Sequence, residues 1–346
     1  MKKYLALMMA LTLLAGMLAG CSGNTAAPAA GNSAAPAAAS EEKAVELSLS
    51  IDNYSTTSVF GQSAQYLKEK LEEYSNGSIT VNIFSDSSMG DTASQVQAIQ
   101  GGALDMLVCG NSYYSKIVPE MQAFEIPFIF DGGKEQARKV LDGEAGQYAI
   151  DKLEGTGIKL LRFWEVGVRQ LTNNTKPIQN IDDLQGLLLR VLPVDLQVKA
   201  WEIFGAAVTP VDGSELFTAL QQGVVEGQEN PLEGIYANKI YEVQKYCTLT
   251  GHVFTPAGLC ISETTWGKLS QAQQEAVVKA VDEATSFFRE KADAAEEAAL
   301  QGLKDAGMEF VEDPDLSGFI ALAPQVQELF TQQYGTEIIE LIEKSK

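Results

Sequence analysis

The sequence predicts an α/β fold with two lobes. Residues 45–109 carry strand and helix patterns in the order strand, helix, strand, helix, strand, which is typical of a parallel sheet. Residues 186–233 contain two further strand–helix units and a third short strand. About 320 residues remain after an N-terminal targeting segment, and this length is enough for two lobes.

The N-terminal part supplies the first sheet. Apolar and polar residues alternate at 45–51, and this strand ends at Asp52-Asn53-Tyr54. The pattern then predicts a helix at about 59–74, a strand at 79–84, a helix that opens at Gly90-Asp91-Thr92 and ends at Gly101-Gly102, and a strand at 104–109.

The stretch 186–233 supplies the second sheet and two polar groups at strand ends. Arg190 stands near the carboxyl end of its first strand, and Gln228–Asn230 follows the last. Ligands of open α/β sheets bind outside the carboxyl ends of strands, so these groups should face one crevice that suits a small polar anion. The predicted elements are strands at 187–191 and 206–210, a helix that stops at Gly205, and a short helix that Asp212 and Glu215 cap and Gly223 closes.

The remaining elements complete both lobes. The aromatic-rich run 124–130 is interpreted as core packing around Pro127. The predicted elements are a helix at 134–148, a strand at 158–164, a long helix that starts after Ser262 and spans both lobes, and a strand with terminal helices within 310–346.

Residues 1–20 are predicted to be a signal peptide. Leu18-Ala19-Gly20 followed by Cys21 matches the bacterial lipoprotein pattern, in which Cys21 is acylated; an ordinary secretory signal with an incidental cysteine is the alternative. The apolar run is shorter than the roughly 20 residues of a transmembrane helix. Residues 21–43, rich in Ala, Pro and Ser, predict a lipidated flexible tether. We therefore expect an extracytoplasmic protein, at the cell surface or in the periplasm, that only a lipid anchors to the cell membrane.

Composition argues against several classes of function. The chain has 25 basic and 46 acidic residues, a net charge of −21, which argues against nucleic acid as a partner. His252 is the only histidine, and no nucleophile elbow, P-loop or dinucleotide-binding fingerprint is present. A zinc site made of Cys247, His252 and Cys260 would match no common ligand spacing. Cys247 and Cys260 could pair, but with Cys109 they are interpreted as buried apolar residues. We expect no cofactor, no metal and no enzymatic activity.

Three motifs in the second half resemble a known family. GLLLRV at 186–191, TPV…SEL…ALQQGVV at 209–225 and EGQENP at 226–231 resemble the solute-binding subunits of TRAP (tripartite ATP-independent periplasmic) transporters, of the C4-dicarboxylate-binding type. The resemblance covers roughly 45–340. It implies a two-lobed fold like that of type II periplasmic binding proteins, with a ligand cleft between the lobes and a long helix that spans both.

The resemblance also implies a division of the chain and a set of partners. Lobe I would comprise 44–166 with 255–295, and lobe II would comprise 167–254 with 296–346. The protein would capture a small organic acid and deliver it to the large and small TRAP membrane subunits, and we expect a monomer.

The carboxylate contacts follow from the same resemblance. The family has a Gly-x-Arg-x-x-Thr-Asn segment whose arginine faces the ligand carboxylate, and residues 167–173 match it at Arg169. Arg190 would make a bidentate pair with the carboxylate, and Asn230 would fix its orientation. The alternative for Arg190 is a salt bridge to one of the many acids of the chain.

Other residues are placed along the cleft by the resemblance. Asn53, Thr92 and Tyr113 would line it, and His252 would lie near the hinge and the cleft. Capping or turn chemistry is the alternative for Asn53 and Thr92. A hydrogen-bonded structural role is the alternative for His252.

Departures from the family pattern bear on the ligand. Gly213, preceded by Asp212, stands where relatives place a bulky apolar residue, and Tyr113 stands where some place a second cation. We therefore expect more space and more acceptors, with Glu165, Asp212 and Glu229 as candidates. This favours a sugar acid, such as a uronate or an aldonate, over a C4-dicarboxylate.

Three alternative functions differ in class. A lipoprotein that senses the solute and presents it to a receptor kinase would need the same cleft. A glycoside hydrolase would need paired carboxylates, but 46 acidic residues produce such pairs by chance. A purely structural surface lipoprotein would not need the ordered set of motifs.

Overall fold

The structure is a computed structural model that describes residues 43–346. The predicted signal peptide at 1–20, Cys21 and all but the last residue of the tether at 21–43 lie outside the described residues. Strands and helices alternate through the described part, so the α/β prediction is confirmed. None of its helices has both the length and the apolar character that crossing a membrane requires.

Ten strands occur in the described residues. They are β1 Val45–Ser50, β2 Ile79–Phe84, β3 Met106–Gly110, β4 Ile158–Asn173, β5 Leu188–Val191, β6 Ala207–Pro210, β7 Gly227–Pro231, β8 Tyr246–Thr248, β9 Phe254–Ser262 and β10 Glu309–Val311.

Twelve α-helices occur in the same part of the chain. They are α1 Val59–Tyr74, α2 Thr92–Gln100, α3 Asn111–Tyr114, α4 Gly133–Leu141, α5 Glu144–Leu153, α6 Asp195–Phe204, α7 Leu216–Gln221, α8 Leu232–Ala237, α9 Glu263–Trp266, α10 Gln271–Asp305, α11 Ser317–Tyr334 and α12 Glu337–Ser345. Short 3-10 helices lie at Pro119–Glu125, Ile181–Leu184, Gly213–Glu215 and Ile240–Glu242.

The strands form two halves that β4 joins. Their order is β2-β1-β3-β9-β4-β7-β5-β6, with β8 beside β4 and β10 beside β8. β1, β2 and β3 are parallel, as are β5, β6 and β7. β9 is antiparallel to both β3 and β4, and β4 is antiparallel to β7. The carboxyl ends of β1, β3 and β5 therefore meet near the middle of the molecule.

Strand β4 is longer than the sequence indicated. The prediction ended it at Trp164, but it runs on to Asn173, pairing first with β9 and then with β7 and β8. Gly167 has a φ of 123° and lies at a register shift, so it forms a β-bulge that bends the strand without ending it.

Helix α10 contributes to the cores of both halves. Val277 and Phe288 pack with Leu49 of β1 in the first half. Ala299 and Leu303, near the other end of the helix, pack in a cluster of the second half. The long helix that spans both lobes is therefore present.

Two predicted helices have different bounds. The helix predicted at 134–148 is two helices, α4 and α5, because Gly143 has an extended conformation and breaks the pattern. The helix predicted from Ser262 is interrupted after Trp266. Ser270 then starts α10 with a capping box that it forms with Gln273.

Two interpretations of apolar residues are confirmed. The side chains of Phe124, Ile126, Ile129 and Phe130 are buried in one core cluster. The three cysteines of the described part, Cys109, Cys247 and Cys260, are free and buried.

We predict that Gly258→Ala destabilises the fold. An added Cβ would lie 2.6 Å from the ring of Tyr114 in the middle of the sheet, and overpacking of this kind costs about 1–3 kcal/mol. Gly234→Ala in α8 is the control, because no atom lies within 4 Å of its Cβ position. Chemical denaturation would measure the free energy of unfolding of both variants. A Gly258→Ala protein as stable as the control would contradict the prediction.

Candidate functional site

A cavity of about 80 Å³ lies where the two halves of the sheet meet. Its walls include residues at the carboxyl ends of β1, β3 and β5, which is where α/β sheets bind ligands. The space is several times that of one water molecule and suits a small polar solute. Five residues predicted as ligand contacts line it: Asn53, Tyr113, Arg169, Arg190 and Asn230.

Arg190 is a buried cation without a carboxylate partner. Its side chain is only 1% exposed, and its Nε donates to the carbonyl of Val211 at 2.7 Å. Its Nη2 is buried and has no hydrogen-bond partner among the described residues, and no described carboxylate forms an ion pair with it. Burial lowers the pKa of Arg190 to about 10; nearby Arg169 acts in the same direction, and Glu229 opposes both. The salt-bridge alternative therefore finds no support.

Arg169 differs, because it is paired within the protein. Its Nε and Nη2 donate to the carboxylate of Glu229, the second at 2.9 Å, and Nη2 also donates to the backbone carbonyl of Glu229 at 2.6 Å. Burial alone would lower the pKa of Arg169, but the carboxylate raises it above its usual value. Nη1 makes no hydrogen bond with a described residue, whereas Nε and Nη2 are both occupied.

Glu229 and His252 support Arg169 and do not line the cavity. His252 Nε2 lies 3.2 Å from the Glu229 carboxylate, and His252 Nδ1 lies 2.8 Å from the Thr250 hydroxyl. Burial would raise the pKa of Glu229, but Arg169 and His252 hold it at about 2. Burial lowers the pKa of His252 against the opposing effect of Glu229. The structural alternative for His252 therefore fits its contacts better than a ligand contact does.

The two asparagines have different roles. Asn230 accepts from Arg169 Nη2 at 3.1 Å and donates to Gln228 at 2.5 Å, so it holds the guanidinium in place. The side chain of Asn53 makes no hydrogen bond with a described residue and lines the cavity. Gly213 also lines it, and a Cβ there would lie 3.5 Å from the Asn53 amide. The space expected at Gly213 is therefore part of the cavity.

Tyr113 connects the two halves across the cavity. Its hydroxyl donates to Asp212 at 3.0 Å. Tyr113 belongs to α3 in the first half, and Asp212 follows β6 in the second. Asp212 also caps the turn at Ser214, so its carboxylate is occupied by partners within the protein. It lies beside the cavity as a bridge between the halves.

Two of the predicted contacts, Glu165 and Thr92, do not line this cavity. The Glu165 carboxylate accepts two hydrogen bonds from Arg138, at 2.8 and 2.6 Å, and borders a separate, largely apolar cavity beside Phe60. Its carboxylate is therefore occupied by this buried arginine. Thr92 starts α2, and its hydroxyl donates to Asp52 at 2.8 Å. It therefore positions a neighbouring side chain.

Asp52 and Thr255 line the cavity but were not selected from the sequence. Asp52 is next to Asn53, which was predicted as a ligand contact. Its position just after the carboxyl end of β1 could have identified it as a cleft residue from the sequence. Thr255 lies in β9, where nothing local distinguishes it from a core residue. Its hydroxyl is buried without a hydrogen-bond partner in the described part of the chain, as is Arg190 Nη2. Both residues therefore bring an unsatisfied polar atom to the wall of this cavity.

The residues weighed as a zinc site do not assemble one. Within residues 43–346, no group of three or more His, Cys, Asp or Glu side chains is arranged to hold a metal ion.

We predict that Glu229→Gln costs about 3–5 kcal/mol of stability near neutral pH, because it leaves Arg169 buried without its counter-ion. The pKa of Glu229 in the folded protein, about 2, lies below its ordinary value of 4.5. Its contribution is therefore complete above pH 4.5 and is lost as the pH falls toward 2, where wild type and variant should converge. Chemical denaturation across this range is the measurement.

The control is Glu309→Gln, which removes an exposed ion pair with Lys245 and should cost less than about 1 kcal/mol. A Glu229→Gln protein no less stable than this control at neutral pH would show that the buried pair contributes little.

Relatives of known name support one family. The chain is 30% identical over 284 residues to the 2,3-diketo-L-gulonate-binding periplasmic protein YiaO of Escherichia coli, covering 81% of this chain and 86% of the relative. It is 32% identical over 248 residues to the C4-dicarboxylate-binding periplasmic protein DctP of Rhodobacter capsulatus, covering 71% of this chain and 74% of the relative.

Solved structures share the fold. A TRAP periplasmic solute-binding protein from Polaromonas, bound to D-erythronate, superimposes with a TM-score of 0.82 at 33% identity, over 86% of this chain and 97% of that one. The sugar acid-binding protein DctPAm from Advenella mimigardefordensis, in complex with galactonate, has a TM-score of 0.82 at 29% identity, over 88% and 100% of the two chains.

The family model described as bacterial extracellular solute-binding protein, family 7, matches residues 52–333. This range includes all the cleft residues described above. The fold, the position of the cleft and these similarities agree, and the chain belongs to the DctP family of TRAP solute-binding proteins.

Proposed function

We propose that the protein captures a small organic acid outside the cytoplasm and delivers it to the large and small membrane subunits of a TRAP transporter. The unpaired guanidinium of Arg190 carries this proposal. A buried charge without a partner is costly, and a ligand carboxylate would supply both the counter-charge and an acceptor for Nη2. Arg169 would add a bond from Nη1.

We propose a sugar acid in preference to a C4-dicarboxylate. Glu229 already neutralises Arg169, which leaves Arg190 as the one uncompensated cation among the described residues that line the cleft. One such cation suits one carboxylate. Asn53, Tyr113 and Thr255 in the wall are neutral donors and acceptors that suit hydroxyls. Relatives bound to erythronate and galactonate support this choice.

Lobe closure and membrane anchoring complete the proposal. The two lobes would close on the ligand as β4 and β9 bend. Lobe I comprises 44–166 with 255–295, and lobe II comprises 167–254 with 296–346 in this proposal. The Tyr113–Asp212 hydrogen bond joins the two halves across the cavity and would have to break when the lobes open. A lipid on Cys21 and the tether at 21–43 would keep the protein near its membrane partners.

We predict that Arg190→Ala lowers affinity for the ligand about 30-fold to several thousand-fold, the usual cost of about 2–5 kcal/mol for removing one partner of a buried charged pair. Isothermal titration calorimetry would measure it. Arg162→Ala is the control, because Arg162 also lies on a strand but pairs with Asp282 at the surface. Affinity retained in Arg190→Ala would refute the arginine mechanism.

We predict that sugar acids stabilise the protein against heat more than C4-dicarboxylates at equal concentration. A ligand present at 100 times its dissociation constant adds about 2.7 kcal/mol. At an unfolding entropy of about 2.1 cal/mol/K per residue, the melting temperature of a chain of this size should rise by roughly 4 °C. A thermal-shift panel of uronates, aldonates, succinate and malate would test this. Stabilisation by dicarboxylates alone would reject the sugar-acid proposal and keep the family assignment.

A further inference from the structure

Asp52 places a carboxyl group in the cleft wall. Hydrogen bonds from the protein fix this group, but no cation of the described residues forms an ion pair with it. It is 5% exposed, and its Oδ1 accepts hydrogen bonds from Thr92 at 2.8 Å and Gln95 at 3.3 Å. Its Oδ2 receives no hydrogen bond from a side chain of the described residues. Gln95 also donates to the carbonyl of Gly90 at 2.8 Å, so the start of α2 fixes the orientation of the carboxyl group.

The surroundings of Asp52 favour its neutral form. Burial raises its pKa to about 7; nearby Asp212 and Asp91 add to the increase, while Thr92 and the Asn53 backbone N–H oppose it. The titratable groups that interact electrostatically with Asp52 are Tyr54, Asp91, Cys109, Tyr113 and Asp212. None of these groups is a cation, so none of them would attract an anion placed beside Asp52.

The cleft is therefore electrostatically asymmetric. Arg190 presents an unpaired positive charge, while Asp52 presents an acid to the same cavity. If Arg190 binds the carboxylate of a ligand, the other polar groups of that ligand contact the rest of the cavity wall. A hydroxyl can donate to an ionised Asp52 or accept from a neutral one, whereas a second carboxylate can pair only with the neutral acid.

We propose that Asp52 determines the specificity of the cleft: it accepts the hydroxyl groups of a monocarboxylic sugar acid and excludes a second carboxylate whenever it is ionised. This inference rests on the proposed capture of an organic acid at Arg190. Thr92, a predicted ligand contact, becomes the residue that positions Asp52. Selectivity against diacids then depends on pH, strong above the pKa of Asp52 and weak below it.

The experiment uses two pairs of probes that differ only at one terminal carbon. They are galactonate with galactarate, and erythronate with meso-tartrate, in which a hydroxymethyl group is exchanged for a carboxylate. Isothermal titration calorimetry would measure each affinity at about pH 5 and about pH 8.5, on either side of the pKa of Asp52. The variants are Asp52→Asn, Thr92→Val and, as a control with the same charge change at the surface, Asp282→Asn.

For wild type and Asp282→Asn, we expect at least a ten-fold preference for the monoacid at the higher pH. This preference should shrink several-fold at the lower pH. Asp52→Asn keeps a neutral group of the same shape, so its preference should be within about three-fold of unity at both values. Thr92→Val should give an intermediate preference with a smaller pH dependence, because the carboxyl group is less well positioned.

The outcomes separate this inference from the proposed function. Asp52→Asn with the preference and pH dependence of wild type would overturn the role of Asp52, while an affinity that still depends on Arg190 would keep organic-acid capture. Monoacid binding unchanged in Arg190→Ala would overturn capture at Arg190. Failure of wild type to bind either monoacid would also overturn the inference.

Discussion

The burial of two guanidinium groups in one cavity wall constrains the cleft. Burial lowers the pKa of Arg190, and the neighbouring Arg169 lowers it further. Glu229 neutralises the charge of Arg169, and His252 in turn contacts the Glu229 carboxylate. Arg190 has no carboxylate partner among the described residues. In our proposal the carboxylate of the solute supplies that partner, which is why the solute should be an acid.

Strand β4 places this network at the junction of the two halves. The bulge at Gly167 lets one strand pair with β9 and then with β7, so that Arg169 faces the cavity immediately after the bend. Glu165 lies just before the bend and points to Arg138 and the helices beyond it. Two side chains four positions apart on one strand therefore lie in different surroundings. Arg169 lies in the cavity wall, and Glu165 forms an ion pair with Arg138.

Local pattern predicted the order of strands and helices, and it placed Arg190 and Asn230 at strand ends. It could not predict which acids are already paired. Glu165 is 27 residues from Arg138, and Glu229 is 60 residues from Arg169, so only the folded chain reveals that both carboxylates are occupied. The positions of Thr92 and Asp52 at the ends of predicted elements could be read from the sequence. The hydrogen bond by which Thr92 positions Asp52 could not, because it joins residues 40 positions apart.

Helix α10 has a consequence for how the protein unfolds. Its apolar residues belong to a core cluster of each half, and β4 runs through both halves of the sheet as well. Neither half can lose its packing while the other keeps all of its own. The two halves should therefore melt in one cooperative transition, even though their relative tilt is what a solute would change.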